Sequence, residues 1–212
     1  MAFEECPPLR PFPVRPGKHL APGWWWSSTT GRLVHYGCAS MRLHVTLLDR
    51  DRRVRGLAAR PLVLRWREEG GVRVHAPQLM LRLASGQAVL ADCTARTELS
   101  QRQQYLASVV ERMCAAVGWR YWMLGPVDLV YRRNVTWLSG YRHPRHHGGV
   151  QLAAALWEAF GEPAPLGEGV CRIGDPIRVF PALFHALWTG RLVADLGVPM
   201  HGRMPVWVGE PG

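Results

Sequence analysis

Apolar spacing changes period twice between Cys38 and Leu124, and this restricts the folds open to the chain. In residues 38–49, CASMRLHVTLLD, Met41, Val45 and Leu48 recur at i, i+4 and i+7, which predicts a helix. A basic connection, DRDRRVRG, follows. Residues 59–66 (ARPLVLRW), 72–84 (VRVHAPQLMLRLA) and 87–94 (QAVLADCT) alternate or run apolar between turn signals. Glu68-Glu69-Gly70-Gly71 and Ser85-Gly86 are the hairpin-like breaks. Three successive strands are expected, most simply antiparallel. Residues 98–117 read as a long amphipathic helix. Leu99, Tyr105 or Leu106, Val109, Met113 and Val117 lie near one face, and Gly118 stands at the stop. WRYWML at 119–124 reads as a short strand. The module is α/β, in the order helix, three strands, helix, strand.

The flanks have a different character. Residues 1–23 carry prolines at 7, 8, 11, 13, 16 and 22, which predicts an extended or coiled arm. WWWSSTTG follows. Three adjacent tryptophans point in different directions, so at least one is expected in the core, and another is free to stack on a base or fill a partner's pocket. Residues 126–149 read as a helix and then a Pro/Gly/His-rich basic linker. His143, His146 and His147 lie there without a nearby cysteine or carboxylate, so phosphate contact is favoured over a metal. Residues 150–160, about 165–172 and 178–189 read as three helical pieces, followed by two short strands around a turn. Three helices and a hairpin make a winged-helix-like C-terminal domain over 150–212. Trp137, Trp157 and Trp188 fall at helical apolar positions, and His185 reads as a core or interface histidine.

The composition narrows the class. Of 212 residues, 48% are hydrophobic and 20% charged, which excludes wholesale disorder. No apolar run reaches the ~18 residues of a membrane-spanning helix. The N-terminus lacks the basic start and apolar core of a secretory signal. The five cysteines, Cys6, Cys38, Cys93, Cys114 and Cys171, are odd in number, widely spaced and without a CxxC pair. A reducing cytoplasm is therefore expected. The net charge is +10. Residues 1–150 hold 22 basic and 10 acidic side chains, whereas residues 151–212 hold 4 and 6. This imbalance points the front of the chain to a polyanion and the back to protein docking. The basic residues are 25 Arg and one Lys, which matches a GC-rich coding bias as well as a taste for phosphate.

Helix, three strands, helix, strand is also the core order of restriction-type nucleases. The segments resemble one family among them: the TnsA-like endonuclease subunit of heteromeric transposases, in its actinobacterial form. WWSSTTGRLVHYGCASMRLHVTLLDRDRRV is similar, without a gap, to a family pattern that opens WWSSTTGRxVxYES and runs through LERD to LDFDPxV. RPLVLRWREEGGVRVHAPQLMLRLASGQAVLADCT is similar to its continuation, QPFxLxW, then RRHxPDFFVRLADGxxxVVDVR. GWRYWML, NVTWLSGYRHPR and FPALFHALWTGRLVADL also resemble the family. The resemblance extends from about Trp24 to Trp207. It implies a restriction-endonuclease-like (PD-(D/E)xK type) core over 24–125 ahead of the winged-helix-like domain.

The resemblance also shows what this chain lacks. Such a nuclease holds Mg²⁺ on acidic oxygens and uses a lysine or similar group beside the attacking water. At the positions of the family's two helix glutamates stand Gly37 and Met41. The strand aspartate is Gln78, and the basic end of the next strand is Thr94. Asp92 remains, with Asp49 and Glu98 the other carboxylates weighed as substitutes. Cys93 beside Asp92, with His75 on the neighbouring strand, is a remote nucleophile–base pair.

Arg42, Arg50, Arg52, Arg53, Arg55, Arg60, Arg65, Arg67 and Arg73 crowd one stretch, and Arg132, Arg133, Arg142 and Arg145 extend the basic run. Loss of carboxylates from an Arg-lined cleft makes it more positive, a physical route from cutting DNA to holding it. Three functions stay open. The first is a catalytically inactive pseudo-nuclease that binds duplex DNA, with no metal and no cofactor. The second is a protein-interaction subunit that meets a transposase, an AAA+ regulator, an active TnsA-like paralogue or a second copy of itself. The third is an active Mg²⁺-dependent endonuclease with remodelled ligands.

Overall fold

The computed structural model describes residues 2–9, 12 and 22–209, and the chain is mixed α/β in two compact units, Met1–Pro126 and Val127–Gly212. The first unit opens with a 3-10 turn at Phe3–Glu5. Strands β1 (Gly23–Trp26) and β2 (Leu33–Tyr36) form an antiparallel hairpin. Helix α1 (Ala39–Arg50) and strand β3 (Val54–Ala59) follow, then β4 (Leu64–Glu68), β5 (Gly71–His75), β6 (Leu79–Leu83) and β7 (Ala88–Cys93). Helix α2 (Gln101–Ala116) leads to β8 (Arg120–Leu124). The main sheet has the order β3-β6-β7-β8. Its first three strands are antiparallel, and β7 pairs with β8 in parallel. A parallel pair needs a long crossover, and α2 supplies it.

Alternation along the central strands explains the two helices. Met80, Ala88 and Leu90 meet Val110 and Cys114 of α2 in a buried cluster, with Phe3 and Trp119 against it. Leu79, Leu81, Val89 and Ala91 point the other way and are also fully buried. Helix α1, with Met41 and Val45 inaccessible, lies against β3 and β7. Helix α2 is started by Ser100, whose hydroxyl accepts from the Gln103 N–H while the Gln103 side chain accepts from the Ser100 N–H.

The strand order was expected, but two positions differ. The first sheet strand is Val54–Ala59, not residues 59–66, and the expected second strand, 72–84, is broken in two. Pro77 lies in the break and has no N–H to give a ladder. Residues on either side of it belong to different sheets. β4 and β5 make a separate two-stranded ribbon, turned by Gly70 (φ 101°) and Gly71 (φ 125°). The expected Pro-rich arm is described only at residues 2–9, 12, 22 and 23. Of these, residues 3–5 form the 3-10 turn, Gly23 begins β1, and the Leu9 N–H donates to the Arg60 carbonyl at 3.0 Å.

The WWWSSTT stretch is built around one carboxylate. Asp49, only 4% exposed, closes α1. Its Oδ2 accepts from Trp25 Nε1 (2.9 Å) and the Ser28 N–H (3.0 Å), and its Oδ1 from Ser27 Oγ (2.6 Å) and the Thr29 N–H (2.9 Å). Thr29 Oγ1 also donates to the Asp49 carbonyl. A buried carboxylate is tolerable only when hydrogen-bonded in this way. Trp25 is thus the core tryptophan, while Trp24 is 57% exposed and stacks on His35.

The second unit comprises α3 (Leu129–Leu138), α4 (Gly149–Ala159), β9 (Ala164–Pro165), α5 (Leu166–Ile173), α6 (Pro176–Trp188), β10 (Leu192–Val193) and β11 (Pro205–Val208). Its small antiparallel sheet has the order β10-β11-β9. Helix α6 is the centre, with Val179 and every residue from Ala182 to Trp188 buried, and α3, α4 and α5 pack on it. Asp175 caps this helix, Pro176 occupies its first turn, and Pro181 lies inside it.

Residues 126–149 are not a linker. All but Pro126 belong to the second unit. The buried Asn134 amide donates to the carbonyls of Leu196 and Val198 at 2.9 and 2.7 Å, and His185 Nδ1 lies 2.8 Å from the Tyr141 carbonyl. Val135 and Leu138 are fully buried, whereas Trp137, expected in the core, is 48% exposed and Trp157 is also exposed. Trp188 is buried as expected.

Asp49→Ala removes the carboxylate that accepts from five donors of the 25–29 segment. Urea unfolding of the full chain, followed by circular dichroism, is expected to show a loss of about 3 kcal/mol in the first unit. A loss below about 0.5 kcal/mol would contradict this role.

Candidate functional site

The positions that the resemblance assigns to catalysis come together at the start of α1 and the carboxyl end of β7. Cys38, which precedes α1, and Asp92 both raise the affinity of the Cys93 thiol for its proton, after burial as the main cause. The first turn of α1 therefore faces the end of β7.

Each position is filled. Gly37 has no side chain, and a Cβ built there would collide with the Phe12 ring. Phe12 is held in place by the Arg60 guanidinium, 4.7 Å above its centroid, and by His35, 5.2 Å away between rings. Burial, and then the Arg60 charge, pushes the His35 pKa down. Met41 is inaccessible, and its sulfur accepts the Gly37 N–H. The Gln78 side-chain oxygen accepts from the Cys93 N–H at 2.8 Å. Thr94 is buried; its N–H donates to the Leu124 carbonyl and its hydroxyl accepts from the Arg96 N–H.

Asp92, 8% exposed, is the carboxylate at this end of β7, and both its oxygens are engaged. Oδ1 accepts from the Gln78 N–H at 3.0 Å. Oδ2 accepts from Tyr121 Oη at 2.9 Å and lies 2.7 Å from His75 Nε2. The Tyr121 hydroxyl is held protonated, by burial first and then by the Asp92 charge and hydrogen bond.

These residues do not suit Mg²⁺. A hard divalent ion wants carboxylate oxygens with free lone pairs. At the positions that the resemblance assigns stand a glycine, a buried thioether, an engaged amide and a threonine, beside one carboxylate with three partners. Asp49 is occupied by the 25–29 segment, and Glu98 is exposed just ahead of α2. Among the described residues no group of three or more His, Cys, Asp or Glu is placed to hold a metal ion. The histidines at 143, 146 and 147 instead bond to arginines and backbone: His143 Nδ1 accepts the Arg145 N–H, His146 Nε2 accepts from Arg145 Nε, and His147 Nε2 lies 3.3 Å from Arg191 Nη1.

Cys93 is not a poised nucleophile. Its thiol is pushed well above the ordinary range, and the base expected beside it, His75, is engaged by Asp92.

The candidate arginines divide in two sets. Nine lie in the first unit and four in the second. Arg42, Arg52, Arg53, Arg55, Arg65, Arg67 and Arg73 are exposed, and Arg50 and Arg60 are half-buried. Arg53 makes a bidentate pair with Asp51 and Arg73 pairs with Glu68, so both are partly neutralised. Burial raises the Asp51 carboxyl, but the Arg53 hydrogen bonds and the charges of Arg53 and Arg50 bring it below its usual range. Arg60 is occupied with Phe12. The guanidiniums of Arg42, Arg55, Arg65 and Arg67 form no hydrogen bond or ion pair among the described residues. In the second unit Arg132, Arg133 and Arg145 are exposed, and Arg142 Nη1 donates to the Ser139 carbonyl.

Sequence reasoning missed Phe12, Tyr121, Arg32 and Arg82. Gly37 in place of an acid was the available signal for Phe12. Arg32 and Arg55 line a polar cavity of about 370 Å³ with Glu4, Thr29, Thr30 and Arg82. There the Arg82 hydrogen bonds, against burial, hold the Glu4 carboxyl low. The sequence matches no family model and no curated protein.

The buried thiols give a direct check. Burial pushes Cys114 up to about 11 and Cys93 further, whereas Cys171 is exposed. With iodoacetamide at pH 8, mass spectrometry is expected to show Cys171 alkylated at least about tenfold faster than Cys93 or Cys114. Equal rates at Cys93 would contradict a buried, protonated thiol there.

Proposed function

We propose that this chain is a catalytically inactive, TnsA-like pseudo-nuclease that holds duplex DNA, with a restriction-endonuclease-like first unit and a winged-helix-like second unit. The observation that carries the reading is a charge contrast. The cleft's carboxylate, Asp92, is satisfied internally by three partners, while Arg42, Arg55, Arg65 and Arg67 stay exposed without an acidic partner. Unspent positive charge on the surface of the first unit attracts phosphate.

The architecture supports the reading. Helix α1, three antiparallel strands, α2 and a parallel β8 follow the order expected of a restriction-type core. In the second unit, α4, α5 and α6 followed by the β10–β11 pair match the three helices and a hairpin expected over 150–212, with α3 before them and β9 between α4 and α5 as additions. No helix among the described residues is long and apolar enough to cross a membrane. A cytoplasmic site of action, without a metal cofactor, belongs to the same reading. A transposase, an AAA+ regulator or an active paralogue would then supply the strand cleavage that this chain does not.

One observation favours protein docking as a second reading. The second unit carries a largely apolar cavity of about 520 Å³, lined by Trp137, Leu166, Phe180, Phe184 and Met200, with Arg133 at its side. An aliphatic or aromatic side chain of a partner fits such a cavity.

A titration of labelled duplex DNA separates the readings. With Mg²⁺ or with EDTA, native gels are expected to show a shift and denaturing gels intact strands. Affinity should fall with salt at a log–log slope of about −4, for four to five phosphates at about −0.9 each. Strands cut only with Mg²⁺ would overturn the inactive reading. Neither shift nor cutting would move the weight to a protein partner.

A further inference from the structure

The β4–β5 ribbon has two unlike faces. Cα register pairs Leu64 with His75, Trp66 with Arg73 and Glu68 with Gly71, which puts these residues on one face. That face is tied down at both ends. Near the turn, the Glu68 carboxylate accepts from Tyr105 Oη of α2 (2.6 Å), Trp66 Nε1 (2.5 Å) and Arg73 Nε (3.2 Å). At the base, His75 is held by Asp92.

The other face holds the register pairs Arg65–Val74 and Arg67–Val72. All four side chains are exposed, with Val72 at 62% and Val74 at 51%. Two valines uncovered beside two unpaired arginines form a surface that is both apolar and cationic. Glu68 is turned to the opposite face, and Glu69 stands in the turn beyond the strands. No carboxylate therefore competes for Arg65 or Arg67.

We infer that this ribbon enters the major groove of duplex DNA and reads guanine with Arg65 and Arg67. The inference rests on the DNA-holding reading above and goes beyond it, from phosphate contact to base contact. The major groove admits a two-stranded ribbon, and arginine is bidentate to guanine O6 and N7. Residues i and i+2 of a strand stand about 6.8 Å apart. Two base-pair steps at about 3.4 Å each cover the same distance. The guanidiniums thus meet nearby base pairs from one strand, and Val72 and Val74 supply methyl contacts to the groove floor, as apolar side chains do with thymine methyls. Anchoring at Glu68–Tyr105 and His75–Asp92 lowers the entropy lost on docking.

The test uses the full chain and two 24-bp duplexes of alternating dG and dC, one natural and one with 7-deazaguanine throughout. The substitution removes the N7 acceptor and leaves the phosphates and minor groove intact. Wild type is expected to bind the natural duplex about tenfold more tightly than the modified one. Arg65→Ala/Arg67→Ala is expected to bind both equally, at the lower affinity, with its circular dichroism unchanged. A second variant, Arg65→Lys/Arg67→Lys, keeps the charge and is expected to lose most of the preference while retaining the salt slope. Tight but equal binding of both duplexes by wild type would overturn major-groove reading and leave phosphate holding in place. Binding to neither duplex would overturn both.

Discussion

A single buried carboxylate, Asp49, joins the front of the first unit to the end of α1. The chain from Trp25 to Thr29 supplies an indole, two hydroxyls and two amides to its two oxygens. A charged group removed from water in this way is costly unless every partner is present, so the arrangement is all-or-none. It fixes the β1–β2 hairpin and the position at which α1 stops. Because α1 lies against β3 and β7, the carboxylate at one end of the helix also sets where Cys38 and Met41 fall at the other.

Asp92 uses the same device for a different outcome. A nuclease must leave carboxylate lone pairs open to metal. Here the Gln78 amide engages Oδ1, and Tyr121 and His75 engage Oδ2, so the group ties β7 to β8 and to the ribbon. Phe12 occupies the space that a side chain at 37 would need. A glutamate placed at Gly37 would meet Phe12 and leave Asp92 with its three partners. The exposed arginines of the first unit that lack a carboxylate partner, Arg42, Arg55, Arg65 and Arg67, keep their attraction for an anion.

Much of this architecture could be read from periodicity. Helices over 38–49 and 98–117 and strands over 87–94 and 119–124 stand within about three residues of their observed ends, because each is long or flanked by a clear stop. The β3 strand was hidden by DRDRRVRG, whose arginines at 52 and 53 occupy a turn while Val54 already begins the sheet. The ribbon and β6 were merged because apolar alternation runs through Pro77, and only tertiary pairing separates them. Residues 127–149 looked like a linker since charge masked Val135, Leu138 and the Asn134 amide, whose carbonyl partners lie more than sixty positions away. Gly37, Met41, Gln78, Asp92 and Thr94 could be picked out only through the resemblance. That Asp92 would be claimed by Tyr121 and His75 was not legible, since hydrogen bonds across strands leave no trace in spacing.

The most direct measurement is an amide-resolved NMR titration of the full chain with Mn²⁺, a paramagnetic stand-in for Mg²⁺. With both Asp92 oxygens engaged by its own neighbours, the amide signals of Gln78, Asp92 and Cys93 should broaden no more than those of the buried β6 residues at millimolar Mn²⁺. Selective loss of those three signals at stoichiometric Mn²⁺, abolished by Asp92→Ala, would mean that the cleft still holds a metal, and would contradict the account.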